Sequence, residues 1–150
     1  MFVRTERLLL RPQWPEDRAV LAALLADPLL ERDEAAAIAG EGLVILARTA
    51  GAPRVIGAVR LRRNGSRGEV ALWIGKAYWG LGFASEVLAA AREMAFGSLR
   101  IDRIDARLQP RHAGAIQALL RTGFLPTRDL GGWRGYRLDR DVPGALALAA

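Results

Sequence analysis

Two glycines one residue apart stand before a helix-like stretch in the middle of the chain, in the run Trp79-Gly80-Leu81-Gly82-Phe83-Ala84-Ser85. Glycine lets a backbone approach a ligand closely and turn its N–H groups outward. A helix N-terminus adds roughly half a positive charge, so this spacing predicts a cradle for a phosphate group. The run lacks the third glycine of a dinucleotide fingerprint and the Gly-Lys-Ser/Thr ending of a P-loop, which disfavours both of those sites. An ordinary strand-to-helix turn would show the same two glycines, and that alternative stays open here.

The composition limits the other chemistry that the chain can perform. Its 150 residues include no cysteine and one histidine. Disulfides, thiolate metal sites and a cysteine nucleophile are therefore excluded, and a metal site is disfavoured. The first ten residues carry Arg4, Glu6 and Arg7 where a signal peptide would be apolar, and no apolar run approaches the ~20 residues of a membrane span. We therefore expect a cytoplasmic protein that does not associate with membranes.

The positive net charge of +6 is distributed unevenly along the chain. Residues 1–50 carry −2, residues 51–100 carry +5 and residues 101–150 carry +3. A positive field after residue 53 favours an anionic ligand such as a phosphate-bearing cofactor. Almost all the basic residues are arginine, and Ala, Leu and Gly are abundant, a bias that a GC-rich genome would also produce. RNA binding is therefore a hypothesis that rests on charge alone.

The elements around the glycines follow from the periodicity of apolar residues. Six of the seven predicted strands have assigned ranges, which are 7–11, 43–49, 54–62, 69–75, 104–108 and 133–138, with a turn at 63–68. The predicted helices begin at Pro15, cover 28–39 up to Gly40, cover 83–96 up to Gly97, and cover 110–122 up to Gly123. The chain shows no repeat, linker or break in composition. We therefore expect one α/β (α+β) domain over residues 1–150, with the order β-α-α-β-β-β-α-β-α-β-β.

The run Glu69-Val-Ala-Leu-Trp-Ile-Gly-Lys-Ala-Tyr-Trp-Gly-Leu-Gly-Phe-Ala-Ser-Glu-Val-Leu closely resembles the acetyl-CoA-binding core of the GCN5-related N-acetyltransferases (GNAT), in particular the ribosomal-protein N-acetyltransferase branch. Looser matches lie at 5–12, 103–107 and 116–124, so the resemblance covers roughly residues 5–140. It implies a mixed, mostly antiparallel sheet of about six to seven strands with helices on both faces. It also implies transfer of acetyl from acetyl-CoA to a primary amine, on a protein N-terminus or a small molecule.

The resemblance implies a position for each part of CoA. The pyrophosphate should rest on the N–H groups of residues 80–85. The open edge of the fourth strand near Trp73 and Ile74 should pair with the pantetheine amides, with the arm lying between the fourth and fifth strands. The implied cofactor-binding residues are Trp73, Ile74, Gly75, Trp79, Gly80, Leu81, Gly82, Phe83, Ala84, Ser85 and His112.

Direct transfer requires a base for the amine, a backbone donor for the oxyanion and an acid for the leaving thiolate. The resemblance implies Glu69 as the base, although a strand glutamate can equally be a solvated sheet residue. His112 stands where the branch has Asn. Its imidazole would hydrogen-bond the pantetheine or protonate the thiolate, or simply be solvated. Ala115 and Leu119 stand at the family's Ser and Tyr positions, so no other general acid is predicted. These replacements support a second hypothesis, a non-catalytic CoA-binding or interaction module.

The aromatic residues leave two interpretations open. Aromatic side chains beside basic ones can stack on RNA bases, but Trp73, Tyr78 and Trp79 alternate with apolar residues as core side chains do. Trp14 and Trp133 either line the acceptor pocket or pack under the sheet. The segment between the first two strands, where the family that the sequence resembles binds acceptors, is short, so the resemblance implies a shallow or open acceptor site. Acetyl-CoA is the one partner that the sequence predicts, and it leaves the amine acceptor and a homodimer undetermined.

Overall fold

A computed structural model describes residues 2–27, 31–48 and 51–140. The described strands are β1 (Val3–Arg4), β2 (Leu8–Arg11), β3 (Leu43–Ala47), β4 (Arg54–Asn64), β5 (Arg67–Ile74), β6 (Arg103–Leu108), β7 (Leu125–Leu130) and β8 (Trp133–Asp139). They form one sheet in the spatial order β1-β2-β3-β4-β5-β6-β8-β7. The α-helices are α1 (Arg18–Leu24), α2 (Arg32–Glu41), α3 (Phe83–Phe96) and α4 (Ala113–Thr122), and short 3-10 turns lie at Pro15–Asp17 and Lys76–Tyr78.

The sheet splits between β5 and β6. These two strands pair in parallel only where Arg67–Glu69 faces Arg103–Asp105, whereas every other neighbouring pair is antiparallel. β5 continues to Ile74 and β6 to Leu108, and no other strand of the described residues lies between them. The two strands therefore diverge towards their carboxyl ends and leave an opening in the sheet.

Helices cover both faces of the sheet, as predicted. Ile45 and Ile56 belong to a core with α3 and α4, while Val44 and Val55 belong to a second core with α1 and α2. Neighbouring strand residues enter opposite cores because side chains alternate between the faces of a strand. The opening between β5 and β6 therefore lies between two helical layers.

The strand and helix order is confirmed from β2 onward, and α3 covers the predicted 83–96 with Gly97 at its end. The sheet has eight strands instead of six to seven. One strand beyond the predicted order is the two-residue β1, which pairs with Leu9 and Leu10 of β2. Two residues are too few to show a periodicity, so no sequence pattern predicts this strand.

Three predicted boundaries were wrong in detail. α2 continues through Gly40 to Glu41, and Gly42 caps it by donating its N–H to the Ile38 carbonyl at 2.9 Å. Asn64 pairs directly with Arg67, so the turn is the two residues Gly65-Ser66 and not 63–68. α4 begins at Ala113, which places His112 at the N-cap and not inside the helix. The predicted helix start at 28 and strand end at 49 lie outside the described residues.

Candidate functional site

A cavity of about 650 Å³ occupies the opening between β5 and β6. Residues 70–74 of β5 form one wall and residues 106–108 of β6 the other. The first turns of α3 and much of α4 line it from one face of the sheet, while Glu34, Ala35 and Ile38 of α2 line it from the opposite face. The cavity therefore connects the two faces.

The glycine turn forms the end of this cavity at the start of α3. Gly80 and Gly82 have φ angles of +77° and +81°, in the left-handed region that favours glycine, and Gly82 is the N-cap of α3. The first N–H groups of a helix have no intrahelical acceptor, and Phe83, Ala84 and Ser85 line the cavity. A phosphate group fits this end because unpaired N–H groups and the helix dipole both favour an anion.

The β5 edge that faces the opening has free backbone groups. The Gly75 N–H donates to the Ile56 carbonyl at 2.7 Å. Because successive peptide groups of a strand point in opposite directions, Leu72 and Ile74 turn their N–H and C=O groups towards the opening. The Ile74 carbonyl accepts a hydrogen bond from the Trp79 indole at 2.6 Å. The N–H and C=O groups of Leu72 and the N–H of Ile74 are therefore free to pair with an extended amide chain. Trp73 instead turns its backbone groups towards β4.

The glycine turn is held from outside by the segment before β2. Arg7 Nη1 donates to the Leu81 carbonyl at 2.9 Å, and its guanidinium lies 4.4 Å from the centre of the Phe83 ring. Arg7 Nε and its backbone N–H donate to the two carboxylate oxygens of Glu86 at 2.8 Å each, and the Thr5 hydroxyl also donates to Glu86. Burial acts to raise the pKa of Glu86, but these hydrogen bonds from Thr5 and Arg7 lower it overall. No local pattern in the sequence predicts this network, because Arg7 and Glu86 are 79 positions apart.

Charged groups line the opposite end of the cavity. Arg111, before α4, forms an ion pair with Glu31 at 2.7 Å. His112 is half-buried beside them, and burial and the Arg111 guanidinium lower its pKa, partly offset by the negative charges of Glu31 and Glu34. Its imidazole is therefore neutral at pH 7 and better suited to accept a proton than to donate one.

The predicted cofactor-binding residues mostly meet at this cavity. Those that line it are Trp73, Ile74, Trp79, Gly80, Gly82, Phe83, Ala84, Ser85 and His112. Leu81 is exposed on the outer side of the turn, and Gly75 packs against the side chain of Leu24 in α1. Neither of these two residues lines the cavity.

Glu69, the predicted base, lies at the closed end of the opening. It is the last β5 residue that pairs with β6, where it lies opposite Asp105. On its other side it pairs with Arg62 of β4. Its negative charge contributes to the raised pKa of Arg62, after the larger effect of Glu41. Glu69 does not line the cavity, and its assignment as the base stays a prediction.

The tryptophans have three different environments. Trp73 is buried and donates its indole N–H to the Ala35 carbonyl at 2.9 Å, as predicted for a core side chain. Trp79 is 44% exposed, so the prediction that it fills the core was wrong. Trp133 lines the cavity under the Arg107 guanidinium, 5.4 Å from the ring centre, and Trp14 lies outside it against Arg11.

Ala115 and Leu119 also line the cavity, so the two replaced family positions face the candidate site.

Comparison with known proteins decides the family. A family model described as the acetyltransferase (GNAT) domain matches residues 7–125. The chain belongs to the GNAT acetyltransferase family. This confirms the resemblance of the run 69–88, which lies within the matched residues.

Among curated proteins, the GNAT chain is similar to an uncharacterized N-acetyltransferase, p20, from Bacillus licheniformis. The two are 35% identical over 63 residues, a stretch that is 42% of this chain and 35% of that protein. The match thus spans about a third of the length of this relative.

The GNAT fold also appears in solved structures. An acetyltransferase (GNAT family) from Bacillus anthracis has a TM-score of 0.76 at 17% identity over 91% of this chain and 96% of its own. A ribosomal-protein-S5-alanine acetyltransferase from Vibrio fischeri has a TM-score of 0.71 at 13% identity over 94% and 97%. RimJ of Mycobacterium smegmatis in complex with CoA-disulfide has a TM-score of 0.66 at 16% identity over 88% and 81%. At these identities the likeness shows the fold.

Among the helices of the described residues, none is long and apolar enough to cross a membrane. Within the same ranges, no group of three His, Cys, Asp or Glu side chains is arranged to hold a metal ion.

Proposed function

We propose that this GNAT protein transfers an acetyl group from acetyl-CoA to a primary amine by direct attack of the amine on the thioester. The observation that carries the proposal is the cavity in the split sheet, which joins a phosphate-binding turn to an unpaired strand edge. The RimJ neighbour is described as bound to CoA-disulfide, and the family match supports CoA as the ligand.

The chain's own groups divide the binding of acetyl-CoA among three places. The N–H groups at the start of α3 receive the pyrophosphate, which is anionic. The backbone of Leu72 and the Ile74 N–H pair with the pantetheine amides. An N–H of this edge that is not paired with an amide serves as the donor that an oxyanion requires. The arm thereby holds the thioester in the opening, where proximity alone contributes much of the rate.

The replaced family residues favour a second candidate function. Ala115 and Leu119 line the cavity without a hydroxyl, and the lowered pKa of His112 leaves its imidazole neutral at pH 7. A protein with this cavity would bind CoA even if no group protonated the leaving thiolate. The second candidate is therefore a non-catalytic CoA-binding module on the same fold.

Two measurements decide between these functions. Isothermal titration with CoA and acetyl-CoA tests the cradle, and we expect saturable binding below millimolar concentration. Release of free thiol is then followed against primary amines and peptides with N-terminal Ala or Ser. Thiol release above the uncatalysed rate supports the transferase. CoA binding without thiol release supports the binding module, and absence of CoA binding contradicts both.

A further inference from the structure

Glu34, in the first turn of α2, differs from the other carboxylate that lines the cavity. Glu31 is held by Arg111 at 2.7 Å. Glu34 is half-buried, lines the cavity, and forms no hydrogen bond or ion pair with any residue in the described ranges. It is thus a carboxylate with free acceptor oxygens at the cavity wall.

Glu34 and the cofactor cradle line the cavity from opposite faces of the sheet, which indicates where the acceptor would enter. The phosphate-binding turn belongs to α3, on one face of the sheet, and Glu34 belongs to α2, on the opposite face. Both line one cavity that passes through the opening between β5 and β6. A thioester held along the β5 edge would therefore present its carbonyl between the cradle and Glu34, and an acceptor would enter from the α2 face.

The charge of Glu34 is complementary to a protonated amine. Glu31 is paired with Arg111, and Arg107 of β6 and Arg121 of α4 also line the cavity. The negative charge of Glu34 acts on Arg62 of β4 and on His112, but Glu34 forms no ion pair with either of them. A primary amine is an ammonium ion at neutral pH, and Glu34 is a cavity carboxylate whose oxygens no described residue occupies.

We infer that Glu34 binds the ammonium group of the acceptor and accepts its proton. This inference rests on the proposed transferase function. One N–H proton passes to the Glu34 carboxylate, and the nitrogen lone pair forms the new C–N bond. The C–S bond breaks, CoA leaves as a thiolate, and the second nitrogen proton reaches that thiolate directly or through water. Glu34 returns its proton to the solvent.

Glu69 is the alternative base, and matched substitutions can distinguish its role from that of Glu34. Glu69 does not line the cavity and lies at its closed end beside Arg62. The same substitution, glutamate to glutamine, can be made at each position. Neither forms a hydrogen bond with a described residue, so neither change should affect folding much.

The kinetic test compares E34Q and E69Q on the best acceptor of the amine and peptide panel and on hydroxylamine, which is mostly unprotonated at neutral pH. We expect E34Q to lower kcat/KM for the ammonium acceptor by roughly 10²–10⁴-fold, the usual contribution of a positioned base, with the KM for acetyl-CoA unchanged. The loss should be at least about tenfold smaller with hydroxylamine, which has no ammonium proton to give up. A purely structural defect would affect both acceptors equally and would contradict the inference.

An independent readout uses the single histidine of the chain, whose imidazole gives one unambiguous NMR titration. Removing the Glu34 charge should lower the pKa of His112 further in E34Q, and E69Q should leave it unchanged. E34Q with wild-type kinetics, or loss of activity in E69Q alone, would overturn the role of Glu34 while the transferase function stands. A wild-type protein that binds CoA but acetylates no acceptor would overturn the proposed function and this role together.

Discussion

Arg7 and Glu86 join the segment before β2 to the first turn of α3. Arg7 Nε lies 2.8 Å from one carboxylate oxygen of Glu86, and the Arg7 backbone N–H lies 2.8 Å from the other. The same guanidinium holds the Leu81 carbonyl between the two glycines. A side chain far away in sequence thus fixes the turn that we propose binds the pyrophosphate.

Replacing Arg7 by Gln should loosen this turn without changing the pantetheine edge. We expect the Kd for CoA to rise by roughly 5- to 30-fold, because the loss of charge-assisted hydrogen bonds that hold the turn should weaken the binding free energy by about 1–2 kcal/mol. The Kd for pantetheine, which has no phosphate, should change less than about twofold. Titration calorimetry measures both, and Arg4→Gln on β1 is the matched control. Equal losses for CoA and pantetheine would show that Arg7 supports the fold and not the turn.

Replacing Gly82 by Val should weaken CoA binding and also strain the backbone. The φ of +81° disfavours any residue with a Cβ, and the new Cβ would lie 3.3 Å from Arg7 Nη2. We expect the Kd for CoA to rise at least about tenfold and the free energy of unfolding to fall by about 1–2 kcal/mol.

The matched control for Gly82 is Gly65→Val in the β4–β5 turn. Gly65 has a φ of +63° and open space around its Cβ position, so it should show the strain without the loss of CoA affinity. A similar change of CoA affinity in both variants would remove the glycine turn from the proposed site.

The buried pair of Arg11 and Asp17 should dominate the acid sensitivity of the fold. The two side chains lie 2.8 Å apart with 6% and 7% exposure, and the hydrogen bond from Arg11 is the largest cause of the lowered pKa of Asp17. Asp17→Asn leaves a buried guanidinium without its carboxylate. It should lower the free energy of unfolding at pH 7 by about 3–5 kcal/mol.

The pH dependence of this pair has a definite sign. The folded pKa of Asp17 is below its unfolded value of about 3.9, so its stabilisation is complete above that value and is lost as pH falls through the folded pKa. Urea unfolding from pH 7 down to roughly pH 2 should therefore show the stability difference between the wild type and Asp17→Asn shrinking as the pH falls below about 4. The exposed neighbour Glu16, changed to Gln, is the control, and parallel curves for Asp17→Asn and the wild type would contradict the prediction.

Gly40 and Gly42 should respond oppositely to alanine. Gly40 lies inside α2 with nothing within 4 Å of its Cβ position, so Gly40→Ala should raise the free energy of unfolding by about 0.5–1 kcal/mol. At Gly42 an added Cβ would collide with the Val59 carbonyl oxygen, so Gly42→Ala should destabilise the protein. Thermal unfolding of the two variants measures both effects, and a destabilised Gly40→Ala would show that α2 does not continue through residue 40.

The sequence by itself determined the family, the order of the main elements and the glycine turn. Each of these depends on residues close together in the chain. The spacing of Gly80 and Gly82 and the apolar face of α3 are local patterns, and local patterns survive in a sequence without knowledge of the fold. The two-residue β1 and the extension of α2 through Gly40 were missed because each depends on pairing or packing with distant residues.

Only the tertiary structure decided which side chains meet at the site. Resemblance in the sequence pointed to Glu69 and assigned no role to Glu34. In the structure the parallel pairing of Glu69 with Asp105 closes the opening there, while α2 brings Glu34 to the cavity wall. Arg7 reaches Glu86 for the same reason, across 79 positions of the chain. Side-chain periodicity tells which face a residue occupies, but the divergence of β5 from β6 and the docking of α2 result from packing of the whole domain.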